Sequence, residues 1–505
     1  MTQDTSSEGF VYLVGAGPGD PSYITLRAIQ CLKLAEIVLY DYLVNPHILQ
    51  HVSADVECIC MGRHGAGKLW NQDDINTECI RLAKQGLRVV RLKGGDPAIF
   101  ARAAEEALAF EKAEIGYEIV PGITAALAAG TCAGIPLTHR EKASAVALIT
   151  GHERGGKGES SLDFGALAQF PGTLVFYMGV TTSRSWTSAL MEHGMPHNTP
   201  VAIVRKISCP EQVTVKCTLD EVADCFDGEN RIRPPAIVII GDVVRDTELT
   251  SWFEQRPLFG QRILVTRAAG QAEEFVQKLA QLGAEVVLQP AIEILPPENY
   301  EALDEVIAAI SDVNWIVFSS GNGVRYFLNR LLTLGYDVRH LAHTKLAAMG
   351  PGTDAALQDF NLKADLLPRE YRAESMVDAL RPRVQKQRVL LIRASRGRDV
   401  LRAGLSKAGA DVQQVVVYRS QDIQTLSSST REAVEQGIDW VTFTSSAIAR
   451  SSIGLLGQHL KGVKSVSISP VTSEMMRSLG FEPTVEAKQH DLDGMIKGLL
   501  DYQEA

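Results

Sequence analysis

One pattern recurs along most of the chain: a short run rich in valine and isoleucine, a glycine-rich turn, and then a stretch of helical character. The runs are close to continuously apolar, and examples lie at residues 10–14, 36–40, 89–92, 145–150, 173–177 and 236–240. Strands of this kind are buried on both faces, because helices cover both sides of a largely parallel sheet. The sequence therefore predicts an α/β fold built in layers.

The length and composition are those of a globular protein with several structural units. The chain has 505 residues, of which 45% are hydrophobic and 22% are charged, and at roughly 100–200 residues per domain three or four units are expected. It contains no apolar run of about 18 residues, so we expect no transmembrane helix and no membrane partner. The polar start lacks the basic and apolar regions of a signal peptide. We therefore expect residues 1–9 to form a disordered tail and the protein to be cytoplasmic.

The charge and the cysteines exclude two further classes of function. A formal net charge of −10 disfavours a nucleic-acid partner, because phosphates select a basic surface. The eight cysteines match no zinc or redox spacing, so we expect reduced thiols and no bound metal. All of them lie at or before Cys225, which suggests that two separate pieces have been joined.

A domain boundary is expected near residue 256. Residues 252–260 (WFEQRPLFG) place a proline and a glycine just before a fresh apolar run at 262–266. We therefore predict one domain at residues 10–250, a linker at 251–259 and a second domain at 260–505.

The second domain contains an internal repeat. Four stretches recur in the same order: 263–268 (ILVTRA) at 389–394 (VLLIRA), 282–286 (LGAEV) at 408–412 (AGADV), 315–320 (WIVFSS) at 440–445 (WVTFTS), and 350–353 (GPGT) at 469–472 (SPVT). A period this long is not that of a solenoid. It predicts two similar α/β lobes with a cleft between the copies.

The loop after the first apolar run distinguishes between two cofactors. Its glycines resemble the start of the dinucleotide fingerprint Gly-x-Gly-x-x-Gly, and Asp41 follows a second apolar run, roughly where a ribose-binding acid would lie. The third fingerprint position, however, is Asp20, whose carboxylate would repel a pyrophosphate. Pro18 and Pro21 also stiffen the loop. An NAD-linked oxidoreductase with a duplicated substrate-binding half stays an alternative.

Several separated motifs give a more specific resemblance. They are, in order, 15–21 (GAGPGDP), 90–97 (VRLKGGDP), 120–126 (VPGITAA), 134–140 (GIPLTHR), 150–152 (TGH) and 177–179 (YMG). This set resembles the tetrapyrrole methylases, and the uroporphyrinogen-III C-methyltransferase branch in particular, over about residues 10–250. The resemblance implies a two-lobed fold, S-adenosylmethionine as methyl donor, a tetrapyrrole substrate and a homodimer formed through this domain.

The resemblance also implies where the methyl donor binds. Glycines there would let the backbone approach the adenosyl group closely, and a methionine offers soft apolar surface to adenine, unless it is simply a core residue. An aspartate could bind the ribose hydroxyls or face the cationic sulfur. The implied cofactor residues are Pro18, Gly94, Gly95, Asp96, Ile99, Thr124, Ala125, Met178, Ile207 and Ala236.

The resemblance also implies which residues face the substrate. Asp41 matches the family's proton acceptor, and arginines suit a substrate with eight carboxylates, because a guanidinium binds a carboxylate bidentately. The implied substrate-side residues are Arg63, Arg102, Glu105 and Arg140. The sequence departs from the family in three places. Arg63 replaces a lysine proton donor, and Ala101, Ala103 and Ala104 stand around Arg102 where the family usually has the pattern Gly-Arg-Gly-Gly. A site near Ile207 is also usually glycine in the family.

Residues 258–505 resemble uroporphyrinogen-III synthase. The resemblance rests on 265–267 (VTR), 318–324 (FSSGNGV), 417–419 (VYR), 442–446 (TFTSS) and 469–472 (SPVT). It implies a two-domain fold whose chain crosses twice between the lobes. It also implies a reaction that closes hydroxymethylbilane, inverts the last pyrrole and eliminates water.

Such a reaction needs a cleft of hydroxyls, helix N-termini and a few cations, which fold the substrate and stabilise the departing hydroxyl. The candidates are Ser319, Ser320, Asn322, Ser445 and Thr472, with Arg267 and Arg393 as carboxylate partners and Tyr418 as general acid. Each serine or threonine could instead serve only as a helix N-cap.

The two implied activities fit together, because the product of the synthase is the substrate of the methyltransferase. We therefore expect a bifunctional enzyme that converts hydroxymethylbilane through uroporphyrinogen III to precorrin-2, on the route to sirohaem or corrinoids. A non-enzymatic ligand-binding module of periplasmic type would need a secretion signal, which the sequence analysis does not find.

Overall fold

The structure is a computed structural model, and it describes residues 9–53, 55–62, 70–152, 160–245, 251–396 and 399–504. The chain divides into two compact units. Unit 1 is Met1–Gln261 with Leu279–Glu285, and unit 2 is Arg262–Lys278 with Val286–Ala505. Residues 1–8 of the expected tail lie outside the described residues. The domain limits given above stay predictions.

Unit 1 consists of two sheets with their covering helices. Its strands are β1 Phe10–Gly15, β2 Ile37–Tyr40, β3 Glu57–Cys60, β4 Arg88–Lys93, β5 Gly116–Val120, β6 Val146–Thr150, β7 Thr173–Tyr177, β8 Pro200–Arg205, β9 Val213–Thr218 and β10 Ala236–Ile240. Its helices are α1 Leu26–Leu34, α2 Gln72–Lys84, α3 Ala103–Lys112, α4 Ala125–Cys132, α5 Phe164–Ala168, α6 Ser183–Glu192 and α7 Val222–Cys225.

The first sheet of unit 1 has the order β3-β2-β4-β1-β5, and all its strands are parallel. Alternate residues of its strands contribute to two buried clusters, one on each face. The second sheet has the order β6-β7-β10-β8-β9, in which β6 and β7 are parallel and the other pairs are antiparallel. The α/β prediction is confirmed, and the six apolar runs match strands to within one residue.

The rest of the chain contains two more sheets. The strands are β11 Arg262–Val265, β12 Glu285–Leu288, β13 Ile292–Leu295, β14 Trp315–Phe318, β15 Lys345–Ala348, β16 Arg388–Ala394, β17 Asp411–Asp422, β18 Trp440–Phe443, β19 Lys464–Ser467 and β20 Val485–Glu486. The helices are α8 Ala269–Gln281, α9 Glu301–Ala308, α10 Gly321–Thr333, α11 Pro351–Gln358, α12 Ala373–Leu380, α13 Val400–Lys407, α14 Ser428–Gln436, α15 Ser446–Leu456, α16 Pro470–Ser478 and α17 Leu492–Gln503.

The two copies of the repeat exchange their first strands. The sheets have the orders β12-β11-β18-β19-β20 and β13-β17-β16-β14-β15. In one sheet Ile263 lies opposite Trp440, and in the other the equivalent Val389 lies opposite the equivalent Trp315. Each lobe therefore combines strands of both copies, so the two lobes do not correspond to the two copies as the repeat alone predicts. After the exchange, each strand still has neighbours equivalent to those of its counterpart in the other sheet. This is possible because equivalent strands present equivalent edges for pairing.

The chain passes between the two lobes twice, as the synthase resemblance implies. It leaves the first lobe between β12 and β13 and returns between β17 and β18. The outgoing strand β13 pairs with the end of β17 in antiparallel register, from Ile292 opposite Asp422 to Leu295 opposite Arg419.

Among the described residues, no helix is both long enough and apolar enough to cross a bilayer.

Candidate active sites

The candidate site of unit 1 lies at the carboxyl edge of its parallel sheet. Strand β1 leads into the loop 16–20, β2 into Asp41, β4 into the loop 94–96 and β5 into the loop 121–124. Ligands of open α/β sheets bind at this edge, because the strand ends and their loops converge there. Four segments that the sequence analysis singled out are thus brought together by the topology of one sheet.

Glycines let these loops pack backbone against backbone. Gly17 and Gly95 both have positive φ and form an isolated antiparallel bridge. A Cβ atom on Gly122 would lie 2.2 Å from the carbonyl oxygen of Gly95, and one on Gly15 would lie 2.6 Å from the nitrogen of Gly122. The glycines of the first loop therefore serve loop-to-loop packing, and a phosphate cradle is not needed to explain them.

Asp96 holds two of the loops together. One carboxylate oxygen accepts the backbone N–H of Ala98 at 2.8 Å, and the other accepts the N–H of Gly122 at 2.9 Å. Each oxygen has a second lone pair, so Asp96 can still accept a hydrogen bond from a ligand hydroxyl.

The start of α4 is fixed by a buried tyrosine. The Tyr177 hydroxyl accepts the N–H of Ala126 at 2.9 Å and shares a hydrogen bond of 2.7 Å with the hydroxyl of Thr124. Burial raises the pKa of Tyr177 above its usual value, and its two hydrogen-bond partners oppose that rise. The predicted cofactor residues Thr124 and Ala125 thus lie on a rigid helix start.

Strained backbone surrounds the same loops. Phe100, Arg102, Met178, Lys206 and Ser208 all have φ between 46° and 60°. Such conformations cost of order 1–3 kcal/mol each and concentrate at functional sites. Met178 is 49% exposed, so it is not a core residue and its thioether is accessible to a ligand.

The first loop also contacts the second sheet's lobe. The N–H of Asp20 donates to the hydroxyl of Ser208 at 2.9 Å, and a Cβ atom on Gly19 would lie 2.6 Å from the carbonyl oxygen of Ile207. Ile207 itself is buried. This contact brings the predicted positions Pro18 and Ile207 to one place, where the two lobes of unit 1 meet.

Asp41 is paired with a buried arginine that the sequence analysis missed. Arg91 donates to its carboxylate, and behind Arg91 lie Glu106 and Lys93, with Lys93 Nζ 2.8 Å and 2.7 Å from the two oxygens of Glu106. The signal was present in the sequence, because Arg91 and Lys93 alternate with the apolar residues Val90 and Leu92 in the buried part of the strand. It was read only as part of a motif.

The remaining predicted positions of unit 1 vary in their surroundings. Arg102 and Glu105 form an exposed ion pair, with Arg102 Nε 2.9 Å from Glu105 Oε1. Arg140 is exposed, and Ile99 packs at the edge of a buried cluster. Ala236 lies in the buried cluster on the other face of its sheet from Ile207, so only its backbone could reach the site. Arg63 lies outside the described residues.

In unit 2, two of the predicted serines are helix N-caps. Ser320 accepts the N–H of Gly323 at 3.1 Å at the start of α10, and Ser445 accepts the N–H of Ile448 at 3.2 Å at the start of α15. A capped helix still presents free N–H groups to an anion. The hydroxyl of Ser319 instead donates to the carbonyl oxygen of Ile392 at 3.1 Å.

Tyr418 is buried against the same helix start. Its hydroxyl lies 3.0 Å from the hydroxyl of Ser320, and its ring stacks on Tyr326. Burial raises the pKa of Tyr418 above its usual value, which makes it a weaker acid. The Tyr418 hydroxyl is thus in contact with the N-cap Ser320, and its role as general acid stays a prediction.

The cations of unit 2 differ in how they are paired. Arg393 donates to Gln414 at 2.7 Å and lies 3.3 Å from Asp399, so it already has partners. The Nε of Arg267 is buried and has no hydrogen-bond partner among the described residues. Burial first, and then the charge of Arg325, lower the pKa of Arg267. Of the two predicted carboxylate partners, Arg267 is therefore the stronger candidate for binding a carboxylate.

Two further candidates of unit 2 make internal contacts. Asn322 accepts a hydrogen bond from Gln271 at the start of α8. Thr472 is buried in the first turn of α16, and its hydroxyl lies 3.2 Å from that of Ser469.

Two family models match the chain. The model of the tetrapyrrole (corrin/porphyrin) methylases matches residues 11–223, and that of uroporphyrinogen-III synthase HemD matches residues 273–497. These matches support the two resemblances and give no support to the NAD-linked oxidoreductase, an alternative that is therefore discarded. The structure agrees, because the first loop leads into a short 3₁₀ turn capped by Asp20 and not into a helix N-terminus.

Relatives match over the whole chain and over unit 1. The porphyrin biosynthesis protein HemD of Ruminiclostridium josui is 34% identical over 499 residues, which cover 98% of each chain. An S-adenosyl-L-methionine-dependent uroporphyrinogen III methyltransferase of Methanosarcina barkeri is 44% identical over 47% of this chain and 92% of its own. A solved structure of the Thermus thermophilus uroporphyrin-III C-methyltransferase with S-adenyl homocysteine is 39% identical, covers 47% of this chain and 99% of its own, and has a TM-score of 0.41.

Proposed function

The chain belongs to the family that joins a tetrapyrrole methylase to a uroporphyrinogen-III synthase, and from that premise we propose that it performs both reactions. Unit 2 cyclises hydroxymethylbilane to uroporphyrinogen III, and unit 1 methylates that product to precorrin-2. The observation that carries the methyltransferase proposal is the placement of Asp41 and the glycine loops at one edge of one sheet.

The residues of unit 1 fit S-adenosylmethionine. Gly94 has open space around it, since a Cβ atom there would meet nothing nearer than Leu43 at 3.6 Å. The accessible thioether of Met178 suits adenine, and Asp96 keeps lone pairs for ribose hydroxyls. When bound, the cofactor supplies an electrophilic methyl group. The other residues that would hold it are Pro18, Gly95, Ile99, Thr124, Ala125 and Ile207, with Ala236 through its backbone.

The protein's own groups orient the substrate and take up a proton. Holding the two reactants in line supplies an estimated ~7–11 kcal/mol of the barrier in well-oriented systems. Asp41 lies at the sheet edge as a carboxylate that accepts the proton lost from the ring. The exposed guanidinium groups of Arg102 and Arg140 are suited to the substrate's carboxylates, with Glu105 orienting Arg102. Arg63 is proposed as a further carboxylate partner.

Unit 2 binds and folds the linear substrate. Arg267 pairs with a substrate carboxylate, because its Nε is buried and has no hydrogen-bond partner in the part of the chain that the structure describes. The N-termini of α10 and α15, capped by Ser320 and Ser445, stabilise negative charge at the departing hydroxyl. Tyr418 orients Ser320. Ser319 and Asn322 lie at the start of α10 and Thr472 lies in the first turn of α16, while Arg393 supports its own lobe through Gln414 and Asp399.

A coupled assay tests both halves. Purified protein is given hydroxymethylbilane with and without S-adenosylmethionine, and the products are separated by chromatography. We expect the type III ring without the methyl donor and a dimethylated product with it. If the protein forms the uncatalysed type I ring and no type III ring, the synthase proposal is overturned. If the type III ring stays unmethylated in the presence of the donor, the methyltransferase proposal is overturned.

Further proposals concern the setting of the enzyme. We propose that it acts in the cytoplasm, binds no nucleic acid because of its net charge of −10, and forms a homodimer through unit 1. Its product feeds sirohaem or corrinoid synthesis. Sedimentation of the purified protein tests the dimer.

A further inference from the structure

Resting on the proposed methyltransferase function, we propose that Arg91 is a positioning residue for Asp41, and that Glu106 and Lys93 hold Arg91 in place. The side chains of these three residues are buried, so we expect their effect on the reaction to pass through Asp41.

The strand register places the group on one face of the first sheet. Leu39 of β2 lies opposite Arg91 of β4, and Asp41 follows Leu39 by two residues. Side chains two apart on a strand share a face, so Asp41, Arg91 and Lys93 all point to the same side. That side is covered by α2 and α3, whose residues pack with Leu39 in one buried cluster. Glu106 is part of α3.

Only one end of this charged group meets solvent. The side chains of Arg91, Lys93 and Glu106 are between 1% and 3% exposed, whereas that of Asp41 is 32% exposed. Two cations and two carboxylates balance, and Gln72 of α2 donates to Glu106 at 2.9 Å. A buried charge is costly unless it is paired, so the positions of the four groups depend on one another.

The guanidinium of Arg91 is hydrogen-bonded through both terminal nitrogens, and its Nε contacts a carboxylate without a hydrogen bond among the described residues. One terminal nitrogen donates to Asp41, the other donates to the backbone carbonyl of Leu92 at 3.2 Å, and Nε lies 3.5 Å from Glu106. A planar guanidinium with fixed donors fixes the direction of the carboxylate that it binds. The Asp41 carboxylate is therefore held in one orientation at the sheet edge by Arg91, and it does not turn freely in solvent.

The test compares four variants of the full-length protein: Arg91→Gln, Asp41→Asn, the double variant and Arg81→Gln. Arg81 is the matched control, because it pairs with Glu78 on the exposed side of α2. The measurements are kcat and KM for uroporphyrinogen III, and calorimetric binding of S-adenosylhomocysteine. We expect Arg91→Gln to bind S-adenosylhomocysteine as the wild type does, with kcat lowered about 100-fold, the loss that an ångström of misplacement brings. Arg81→Gln should match the wild type.

The double variant separates positioning from a general structural role. If Arg91 acts through Asp41, the double variant is no slower than Asp41→Asn alone. Wild-type kcat in Arg91→Gln, or losses that multiply in the double variant, would overturn the proposal.

If Arg91→Gln does not fold, Arg91→Lys takes its place, since it keeps the charge without the fixed fork of donors. A lowered kcat at unchanged KM is then expected, and full kcat contradicts the proposal. Inactivity of the wild-type protein would refute the proposed function instead.

Discussion

Gly17 and Gly95 join two loops of unit 1 by exchanging backbone hydrogen bonds: Gly17 donates to the carbonyl of Gly95 at 3.1 Å, and Gly95 donates to that of Gly17 at 2.7 Å. Gly122 packs onto the same pair. The loops that surround the proposed cofactor site are thus joined to each other by backbone hydrogen bonds. Substitutions here should separate the packing role of a glycine from a role in ligand binding.

Gly122→Ala should destabilise unit 1. Its Cβ atom would lie 2.2 Å from the carbonyl oxygen of Gly95, and backbone cannot move aside as a flexible side chain can. Overpacking of this kind costs typically ~1–3 kcal/mol. Thermal unfolding followed by circular dichroism would show the loss, and an unchanged midpoint would contradict the close packing of these loops.

Gly94→Ala should leave the stability of the protein unchanged and weaken cofactor binding. Its Cβ atom has space in the protein alone, with Leu43 at 3.6 Å as its nearest contact, so the unfolding midpoint should stay at the wild-type value. The same methyl group would occupy space proposed for the cofactor, and calorimetry should show weaker binding of S-adenosylhomocysteine. If Gly94→Ala binds the ligand as tightly as the wild type, Gly94 does not line the site.

The sequence allowed six strands of unit 1 to be located, and the reason is physical. A strand buried on both faces needs consecutive apolar residues, and six such runs match strands to within one residue. The exchange of β11 and β16 between the lobes could not be predicted from the sequence. The two strands are alike in sequence, so either could pair with either partner, and only the packed structure distinguishes them.

Tyr177→Phe should destabilise the start of α4 and weaken cofactor binding. The variant leaves the N–H of Ala126 and the hydroxyl of Thr124 buried without their partner, and an unsatisfied buried group costs ~1–3 kcal/mol. Urea unfolding and calorimetry measure the two effects. Tyr117→Phe is the matched control, because the Tyr117 hydroxyl bonds Glu111 at the surface; equal losses in both variants would show that the effect is not specific to the site.

The candidate site was predicted in part. The loops of unit 1 could be predicted because their glycines and acids form recognisable motifs. Contacts such as that between Asp20 and Ser208 could not, because they join residues that are far apart in the sequence. The pairing of Asp41 with Arg91 was not predicted. An arginine within an apolar strand has no partner that a sequence pattern specifies, because its partners come from β2 and α3.

Cys79 should make the protein sensitive to alkaline pH. Burial raises the pKa of its thiol to about 12, whereas an unfolded thiol ionises near 8.5. The folded state therefore keeps a proton that the unfolded state loses, so this contribution to stability is complete below pH ~8.5 and declines by up to ~1.4 kcal/mol per pH unit above it. Urea unfolding of Cys79→Ala should show a shallower decline between pH 8 and 10. Equal slopes in the two proteins would contradict the raised pKa.

Arg267→Gln should impair the synthase reaction by weakening substrate binding. Its buried Nε has no hydrogen-bond partner among the described residues, and a hydrogen bond to a charged group contributes ~1.5–3 kcal/mol, so KM for hydroxymethylbilane should rise about 10- to 100-fold. Arg393→Gln is the matched control, because Arg393 is already paired with Gln414 and Asp399, and its KM should stay within about threefold of wild type, the effect of roughly 0.7 kcal/mol. Initial rates of type III ring formation give both constants. A larger rise in Arg393→Gln than in Arg267→Gln would reverse the assignment of the carboxylate partner.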